Sequence, residues 1–393
     1  MTVTTAPPGF PAPAPDGLPA VTAALAACAA THDRDAELPL ADFELLHRAG
    51  LLTATVAVRH GGPGAGLADT VRILRALGAG DPAVALITAM TLFTHAAEAR
   101  APHWPAGPLA ELLAESARRP VLVNALRVEP ELGSPVRGGL PATTARRRGD
   151  GWELTGHKIY STGAYLLDWL LVWAATDEER PRVGSFLVRS GSPGLTVEPV
   201  WDHLGLRASR SDDVRLDAVP VPADRVAPLT RHGSGGDGGR DPVGGAWNSL
   251  GLTALYLGVA GAARDWLLGF LHERTPSALG APLASLPRFQ AAVGEIETAL
   301  AGADRLVDAL AAAVDAGEPG AAEQAGGAKV LGTRAAIDAV QRAVALVGNH
   351  GLTRRHPLER HLRDVLCARV HTPQDDSVLL TAGRAALARV RPL

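Results

Sequence analysis

The sequence predicts an α+β fold made of three segregated blocks: helices, then strands, then helices. From about Leu18 to Ser116, apolar residues recur at spacings of three and four, which is the period of an amphipathic helix. From Val121 to about Val226, short apolar–polar alternations between Gly, Pro, Asp and Ser turns indicate strands. Helical periodicity then returns and runs almost to the C-terminus. Because the blocks do not alternate, separate domains are favoured over parallel βαβ winding.

The predicted boundaries follow these changes in pattern. We expect a flexible tail over residues 1–17, a helical domain over 18–118, an antiparallel β-barrel domain over 119–229, a Gly-rich linker over 230–245 and a helical bundle over 246–393. The clearest strand patterns are Trp152–Leu154, Trp169–Ala174, Ser185–Val188, Leu195–Val200 and Asp213–Leu216. Helix breaks are expected near Pro276–Pro287, Ala316–Gly327 and Arg354–Pro357.

The composition excludes several classes of protein. Of 393 residues, 47% are hydrophobic and 20% charged, so the chain can bury a core and is not a disordered or fibrous protein. The net charge of -3 and the lack of a clustered basic face argue against nucleic-acid binding. Cys28 and Cys367 form no C-x-x-C pair, so neither a disulfide framework nor a thiolate metal site is expected. The N-terminus lacks the features of a secretory signal, and Ala83–Phe93 and Leu250–Ala263 resemble core helices more than membrane spans. We expect a cytoplasmic protein.

Four motifs stand in a recognisable order. They are E-P-E-L-G-S at 129–134, G-H-K-I-Y-S-T-G-A at 156–164, L-G-L-R-A-S at 204–209 with V-P-V-P at 219–222, and V-G-N-H-G at 347–351 with E-R-H-L-R-D at 359–364. Together, over residues 18–385, they resemble the acyl-CoA dehydrogenase superfamily. The resemblance implies N-terminal helices, a central β-barrel and a C-terminal four-helix bundle, with a flavin between barrel and bundle in a homotetramer.

The resemblance also implies roles for individual residues. Thr162 falls where the family places a hydroxyl near flavin N5, with Ser161 beside it. Tyr160 takes the place of the aromatic residue next to the isoalloxazine ring. Ser134 corresponds to a serine near the cofactor or substrate. Arg274 corresponds to an arginine that reaches the cofactor phosphates, often across a subunit boundary. The choice between FAD and FMN stays open.

The sequence departs from the family where contacts to the cofactor are expected. Val128 replaces the threonine that usually precedes E-P, and Asn349 replaces the second glycine of the G-G-x-G turn. Ser277 stands where an aromatic residue is expected three positions after Arg274.

The largest departure concerns the catalytic base. An acyl-CoA dehydrogenase needs a carboxylate within hydrogen-bond reach of the substrate α-proton. The family places it about nine residues after the arginine of R-D, which gives Thr372, or early in the first bundle helix, near Asn248. Neither side chain can take that proton.

His371 precedes the missing base and resembles a histidine of the oxygenating branch, the two-component flavin monooxygenases that accept reduced flavin from a separate reductase. That chemistry needs a dry pocket, and imidazole can serve as an acid, as a base at neutral pH, or as a group that stabilises peroxide. His95 could be a second pocket histidine, and a core or interface histidine is the alternative. We therefore predict a flavin-dependent monooxygenase that acts on a small organic substrate.

Two other functions stay open. One is an acyl-CoA dehydrogenase whose base comes from another position, such as Glu273 or Asp375. The other is a non-catalytic subunit with a degenerate flavin fold, which the changes at Val128 and Asn349 favour and the retention of Lys158 disfavours.

Several further residues receive structural interpretations. His350, His356, His361 and His371 have no i, i+4 spacing, so no metal site is predicted. Asp375 and Asp376 are expected to cap the last helix. Arg360 and Arg363 are expected to brace the bundle through Asp364.

Overall fold

The computed structural model describes residues 9–11, 17–132, 139–231 and 241–390. Within these ranges the N-terminal helices are α1 (Leu18–Asp35), α2 (Leu40–Arg48), α3 (Leu67–Gly80), α4 (Pro82–Arg100) and α5 (Ala106–Ser116). The strands are β1 (Val123–Leu126), β2 (Thr144–Arg148), β3 (Gly151–Lys158), β4 (Trp169–Thr176), β5 (Arg182–Arg189), β6 (Leu195–Glu198), β7 (Asp213–Val221) and β8 (Thr230–Arg231). The C-terminal helices are α6 (Pro242–Glu273), α7 (Pro287–Asp315), α8 (Ala321–Val347), α9 (Leu358–Leu366) and α10 (Asp375–Ala388). The predicted order of blocks is confirmed.

The strand block forms a single mixed sheet. Its strands run in the order β6-β7-β3-β2-β4-β5-β8, and β1 pairs with β4 outside this path. The pairings of β1 with β4 and of β2 with β4 are parallel, so the expectation of a purely antiparallel sheet is wrong at these two places. The other pairings are antiparallel.

Two predicted boundaries shift. The glycine-rich linker was expected over 230–245, but β8 occupies its first two positions and α6 begins at Pro242. The break expected at Ala316–Gly327 is shorter, because α8 already begins at Ala321. Alanine and glutamine in this stretch favour helix strongly enough to offset the neighbouring glycines.

Helix α6 is the centre of the helical core. Gly78 on α3 faces the α6 backbone so closely that an added Cβ would lie 2.2 Å from the carbonyl oxygen of Leu255. Gly258 on α6 faces α3 equally closely, with 2.1 Å to the carbonyl oxygen of Arg75. In the described residues α6 alone is long and apolar enough to cross a membrane, and 56% of that apolar window is buried within the protein. Paired glycines therefore let the two helices cross at close range.

A buried ion pair holds the first two motifs together. Lys158 is fully buried, and its Nζ donates hydrogen bonds to Glu129 Oε1 and to the carbonyl oxygen of Trp173, both at 2.6 Å. Glu129 also accepts hydrogen bonds from the backbone and hydroxyl of Thr143. Burial lowers the pKa of Lys158 to about 8. Gly156 leaves room for Thr143, since an added Cβ would lie 2.4 Å from its Oγ1. These motif residues build the sheet.

Arg363 and Asp364 join all three blocks of the chain. The guanidinium of Arg363 forms two hydrogen bonds with the carboxylate of Asp33 on α1, at 2.7 and 2.6 Å. It also donates to the carbonyl oxygen of Leu204 at 3.0 Å. Asp364 Oδ1 accepts a hydrogen bond from the backbone N–H of Leu206 at 2.7 Å. Burial raises the pKa of Asp364 to about 7. The structural interpretation of Arg363 therefore extends beyond the bundle to the sheet and to α1.

We predict that Arg363→Leu lowers the free energy of unfolding by about 2–4 kcal/mol, because it leaves the partly buried carboxylates of Asp33 and Glu359 without their cation. Urea denaturation followed by circular dichroism measures this change. Arg342→Leu on α8 is the matched control, since its pairs with Asp338 and Glu295 lie at the surface. Equal loss of stability in the two variants would contradict a special role for the Arg363 junction.

Candidate active site

The site begins at a strained turn after β3. Tyr160 has a φ of 53° and Gly163 a φ of 74°, a conformation that costs energy for a bulky residue such as tyrosine. The backbone of the turn is held by the loop after β6: Ser161 N donates to Asp212 O at 3.2 Å, and Gly163 N donates to Ser209 O at 2.8 Å. Residues 160–164 therefore form a rigid platform.

A chain of hydroxyl groups ends at Thr162. Ser211 Oγ donates to Thr162 Oγ1 at 3.1 Å, and Ser209 Oγ lies 2.9 Å from Ser211 Oγ. Because Ser211 uses its proton on Thr162, Ser209 must donate to Ser211. The hydroxyl proton of Thr162 then has no acceptor among the described residues and is free for a ligand. Sequence reasoning missed Ser211, although it follows directly after the L-G-L-R-A-S motif.

An aromatic cluster flanks the same turn. The Tyr160 side chain is 56% exposed, and its ring meets Trp201 and His203 edge-on at centroid distances of 6.4 and 6.2 Å. Trp201 and His203 stack on each other at 3.6 Å. The Ser161 hydroxyl is buried and has no hydrogen-bond partner within the described part of the chain. The exposed ring of Tyr160 can therefore pack on a planar ligand.

His95 lies on the face of α4 that packs against β1. One turn earlier on that face, Thr91 exchanges hydrogen bonds with the backbone of Val123. The next residue of β1, Asn124, donates from its side chain to the carbonyl oxygen of Thr162 at 3.1 Å. Burial lowers the pKa of His95 to about 4, and its Nε2 has no partner in the described ranges. A neutral, unpaired imidazole is thus tied to the Thr162 turn through β1.

His371 lies against α6. Its Nδ1 is 2.8 Å from the hydroxyl of Tyr256, and the next residue, Thr372, accepts a hydrogen bond at its carbonyl oxygen from Asn248 Nδ2 at 2.6 Å. Burial and the charge of Lys329 lower the pKa of His371 to about 4. Asn248 and Thr372, the two positions expected to supply a base, therefore contact each other and carry no carboxylate.

The structure does not bring all predicted site residues together. Arg274 ends α6 at an exposed position, about 27 Å along the helix from Tyr256 at a rise of about 1.5 Å per residue. Ser134 lies outside the described residues. In the described ranges no hydrogen bond joins His371 directly to Thr162. The connection runs through the loop 204–211, which binds α9 on one side and the turn 160–164 on the other.

Asp375 and Asp376 lie in the first turn of α10, and Gln374, not an aspartate, precedes the helix. This corrects the expectation that they cap it. Asp375 pairs with Lys329 and Arg334, at 3.3 and 3.0 Å.

Two groups of side chains outside the motifs bring possible metal-ligating atoms together, although no metal site was predicted. His32, Asp42 and Asp81 form a buried group, and His157, Glu198 and Asp213 form a half-buried one. In the first, Asp81 also accepts hydrogen bonds from the first turn of α4, and burial raises the pKa of Asp42 to about 6. Hydrogen bonding between α1, α2 and α4 accounts for this arrangement.

Comparison with known proteins identifies the family. Models of the N-terminal, middle and C-terminal domains of acyl-CoA dehydrogenase match residues 20–99, 127–219 and 250–375. The chain belongs to the acyl-CoA dehydrogenase family. It is 32% identical to the "Putative acyl-CoA dehydrogenase YdbM" of Bacillus subtilis (strain 168), over 89% of this chain and 90% of that protein.

Other members of the family carry out a different chemistry. The chain is 32% identical to the amino sugar nitrososynthase DnmZ of Streptomyces peucetius, over 87% of this chain and 84% of that protein. Among solved structures, KijD3 in complex with FMN and dTDP-3-amino-2,3,6-trideoxy-4-keto-3-methyl-D-glucose matches with a TM-score of 0.80 and 28% identity, over 95% of this chain and 92% of that one. The acyl-CoA dehydrogenase family is a family of flavoproteins, and a flavin is therefore the cofactor to test against the site.

The turn 160–164 fits a flavin. Thr162 presents a free hydroxyl proton to the nitrogen and oxygen acceptors of the ring, and Tyr160 presents an exposed aromatic face. Both are fixed by backbone hydrogen bonds, so little ordering is needed on binding. The glutamate, lysine and glycine shared with the family support this turn from within the sheet.

We predict that Thr162→Val weakens flavin binding about tenfold, the factor that corresponds to one hydrogen bond of about 1.4 kcal/mol. Fluorescence titration with FAD and with FMN, each oxidised and reduced, measures the change. Thr144→Val on β2 is the control, because Thr144 is exposed on a strand away from the turn. Unchanged affinity in Thr162→Val would move the ring contact elsewhere.

Proposed function

We propose that the protein is a flavin-dependent monooxygenase, which uses reduced flavin and O2 to oxygenate a small organic substrate. The observation that carries this proposal is the pair Asn248–Thr372. These residues fill both positions at which the family places a carboxylate base, and they are hydrogen-bonded to each other. Removal of an α-proton from a thioester has no base at either position.

The carboxylates considered as substitutes are poorly suited to the role. Asp375 is paired with Lys329 and Arg334, and two cations beside one carboxylate weaken it as a base. Glu273 lies at the exposed C-terminal end of α6, on the order of 25 Å along the helix from Tyr256. Both arguments disfavour a dehydrogenase with a relocated base.

The residues of the chain have distinct tasks in the proposed reaction. Reduced flavin supplies the two electrons that reduce O2, and one oxygen atom passes to the substrate while the other leaves as water. Thr162 orients the ring by hydrogen bonding, and Tyr160 packs beside it. His95 and His371 provide neutral imidazoles, and their buried surroundings exclude water from the reacting atoms. Arg274 would contact a cofactor phosphate of a neighbouring subunit if the protein is a homotetramer.

The partners and the substrate class follow from the same proposal. Because the flavin must arrive reduced, a separate flavin reductase is the partner expected in the cytoplasm. The activity named for DnmZ and the sugar nucleotide bound to KijD3 make amines, and amino sugars in particular, the first substrates to test. Titration with FAD and FMN decides which flavin is used.

We predict that the purified protein binds reduced flavin more tightly than oxidised flavin, and that it delays the release of H2O2 when O2 is admitted, relative to free reduced flavin. Anaerobic titration and stopped-flow peroxide detection measure the two effects. Bleaching of protein-bound FAD by butyryl-CoA under anaerobic conditions would establish the dehydrogenase instead. Failure to bind flavin in either redox state would favour the non-catalytic subunit.

We further predict that His371→Ala retains reduced-flavin binding but releases H2O2 at least about tenfold faster, because the group that stabilises the reduced oxygen is lost. Stopped-flow peroxide detection measures this rate. His350→Ala serves as the control, since His350 is exposed on the segment that follows α8. Equal peroxide release by His371→Ala and the parent protein would remove His371 from the site.

A further inference from the structure

The contact between Tyr256 and His371 determines which imidazole nitrogen carries the proton. Tyr256 is completely buried on α6, and its hydroxyl oxygen lies 2.8 Å from His371 Nδ1. The two rings pack with centroids 5.6 Å apart and planes inclined by 38°. In the described residues, His371 Nδ1 is the only hydrogen-bond partner of this hydroxyl.

The direction of the hydrogen bond follows from the phenol's own needs. If Nδ1–H donated to the phenol oxygen, the phenol proton would be buried without an acceptor, which costs about 1–3 kcal/mol. If the phenol donates, that proton is satisfied by the Nδ1 lone pair. Burial, with Cys367 and Asp364 nearby, raises the pKa of Tyr256 well above its ordinary value, so the phenol keeps its proton. Donation from Tyr256 is therefore favoured, and it places the proton of a neutral His371 on Nε2.

The charges around His371 keep the ring from gaining a second proton. Lys329 on α8 is 1% exposed, and its Nζ lies 3.3 Å from Asp375 Oδ1. Asp375 also pairs with Arg334, so one carboxylate on α10 faces two cations on α8. The remaining positive charge opposes protonation of the neighbouring imidazole. On the side of α9, Asp364 and Cys367 affect the phenol, and Asp364 is itself bonded to Leu206.

The geometry points to Tyr256 and Lys329 as positioning residues that hold His371 as the neutral tautomer with its proton on Nε2, so that His371 is a hydrogen-bond donor and not a base. Within the described part of the chain, Nε2 forms no hydrogen bond, and the side chain of His371 is half-buried rather than sealed. Nε2–H is thus available to an anionic or electron-rich oxygen. This assignment rests on the proposed monooxygenase function for its chemical purpose, but the tautomer itself can be tested without turnover.

Diethyl pyrocarbonate provides that test, because it modifies only an unprotonated imidazole nitrogen. In the parent protein the lone pair of His371 is on Nδ1 and is occupied by Tyr256, so we expect slow modification. Tyr256→Phe frees the lone pair, and modification should accelerate about tenfold, which corresponds to the loss of one hydrogen bond of about 1.4 kcal/mol. Peptide mapping by mass spectrometry follows His371 individually, with exposed His350 in the same digest as the internal standard.

The opposite tautomer gives a different result. With the proton on Nδ1, the Nε2 lone pair would face the open side, so the parent protein would react quickly and Tyr256→Phe would change little. Fast modification in the parent protein, or a Tyr256→Phe variant that reacts no faster than the parent, overturns the assignment. Neither result depends on flavin binding or on turnover, so a failure of the tautomer and a failure of the monooxygenase proposal are distinguishable.

The role of Lys329 is tested in the Tyr256→Phe background, where His371 reacts readily. The modification rate falls as pH drops through the pKa of His371, because the protonated ring does not react. That pKa lies at about 4 in the intact site, below the ordinary 6.5. Adding Lys329→Met removes the opposing charge, and the pH at which modification slows should move upward. An unmoved midpoint would show that burial alone keeps the ring neutral and would remove Lys329 from the assignment.

Discussion

The hydrogen bonds that Arg363 and Asp364 make with Asp33 and with the loop 204–211 determine the geometry of the site. The same loop continues into Ser209 and Ser211, which fix the Thr162 turn. Shortly after Asp364 the chain reaches His371. Because Asp364 is buried and holds the N–H of Leu206, the flavin side and the histidine side are positioned by one junction. A shift of this junction would change both sides together, which explains why charged residues are tolerated in the interior there.

Helix α6 sets the depth at which the histidine lies. Asn248 and Tyr256 are two turns apart on one face, and both bond to the segment 371–372. The close crossing of α3 and α6 at Gly78 and Gly258 fixes that face relative to the N-terminal helices. Larger side chains at these glycines would push the helices apart, so packing far from the site controls where the imidazole is held.

The sequence predicts the order of the blocks well, because helix and strand periodicities are local properties. It also identifies the turn 160–164, since glycine and hydroxyl residues at a strand end are visible in one segment. It does not reveal the parallel pairings of β4, the strand made of Thr144–Arg148, or the partners Tyr256 and Lys329. The charged β2 lacks apolar alternation, and both partners of His371 look like ordinary residues of apolar helices. Their roles arise from contacts between positions far apart in the chain, which only the folded structure provides.

The electrostatic sign of the site separates the two chemistries of the family. A carboxylate base draws a proton from carbon and favours positive charge beside it, whereas a neutral N–H donor favours negative charge on a nearby oxygen. Here the positions of the base carry an amide and a hydroxyl, and the adjacent imidazole is kept neutral by burial and by Lys329. Negative charge that develops when O2 is reduced would be stabilised in such a pocket, whereas an enolate-forming proton transfer would have no acceptor. The replacement of one carboxylate, together with a buried phenol that fixes a histidine, therefore changes the class of reaction that the same fold can support.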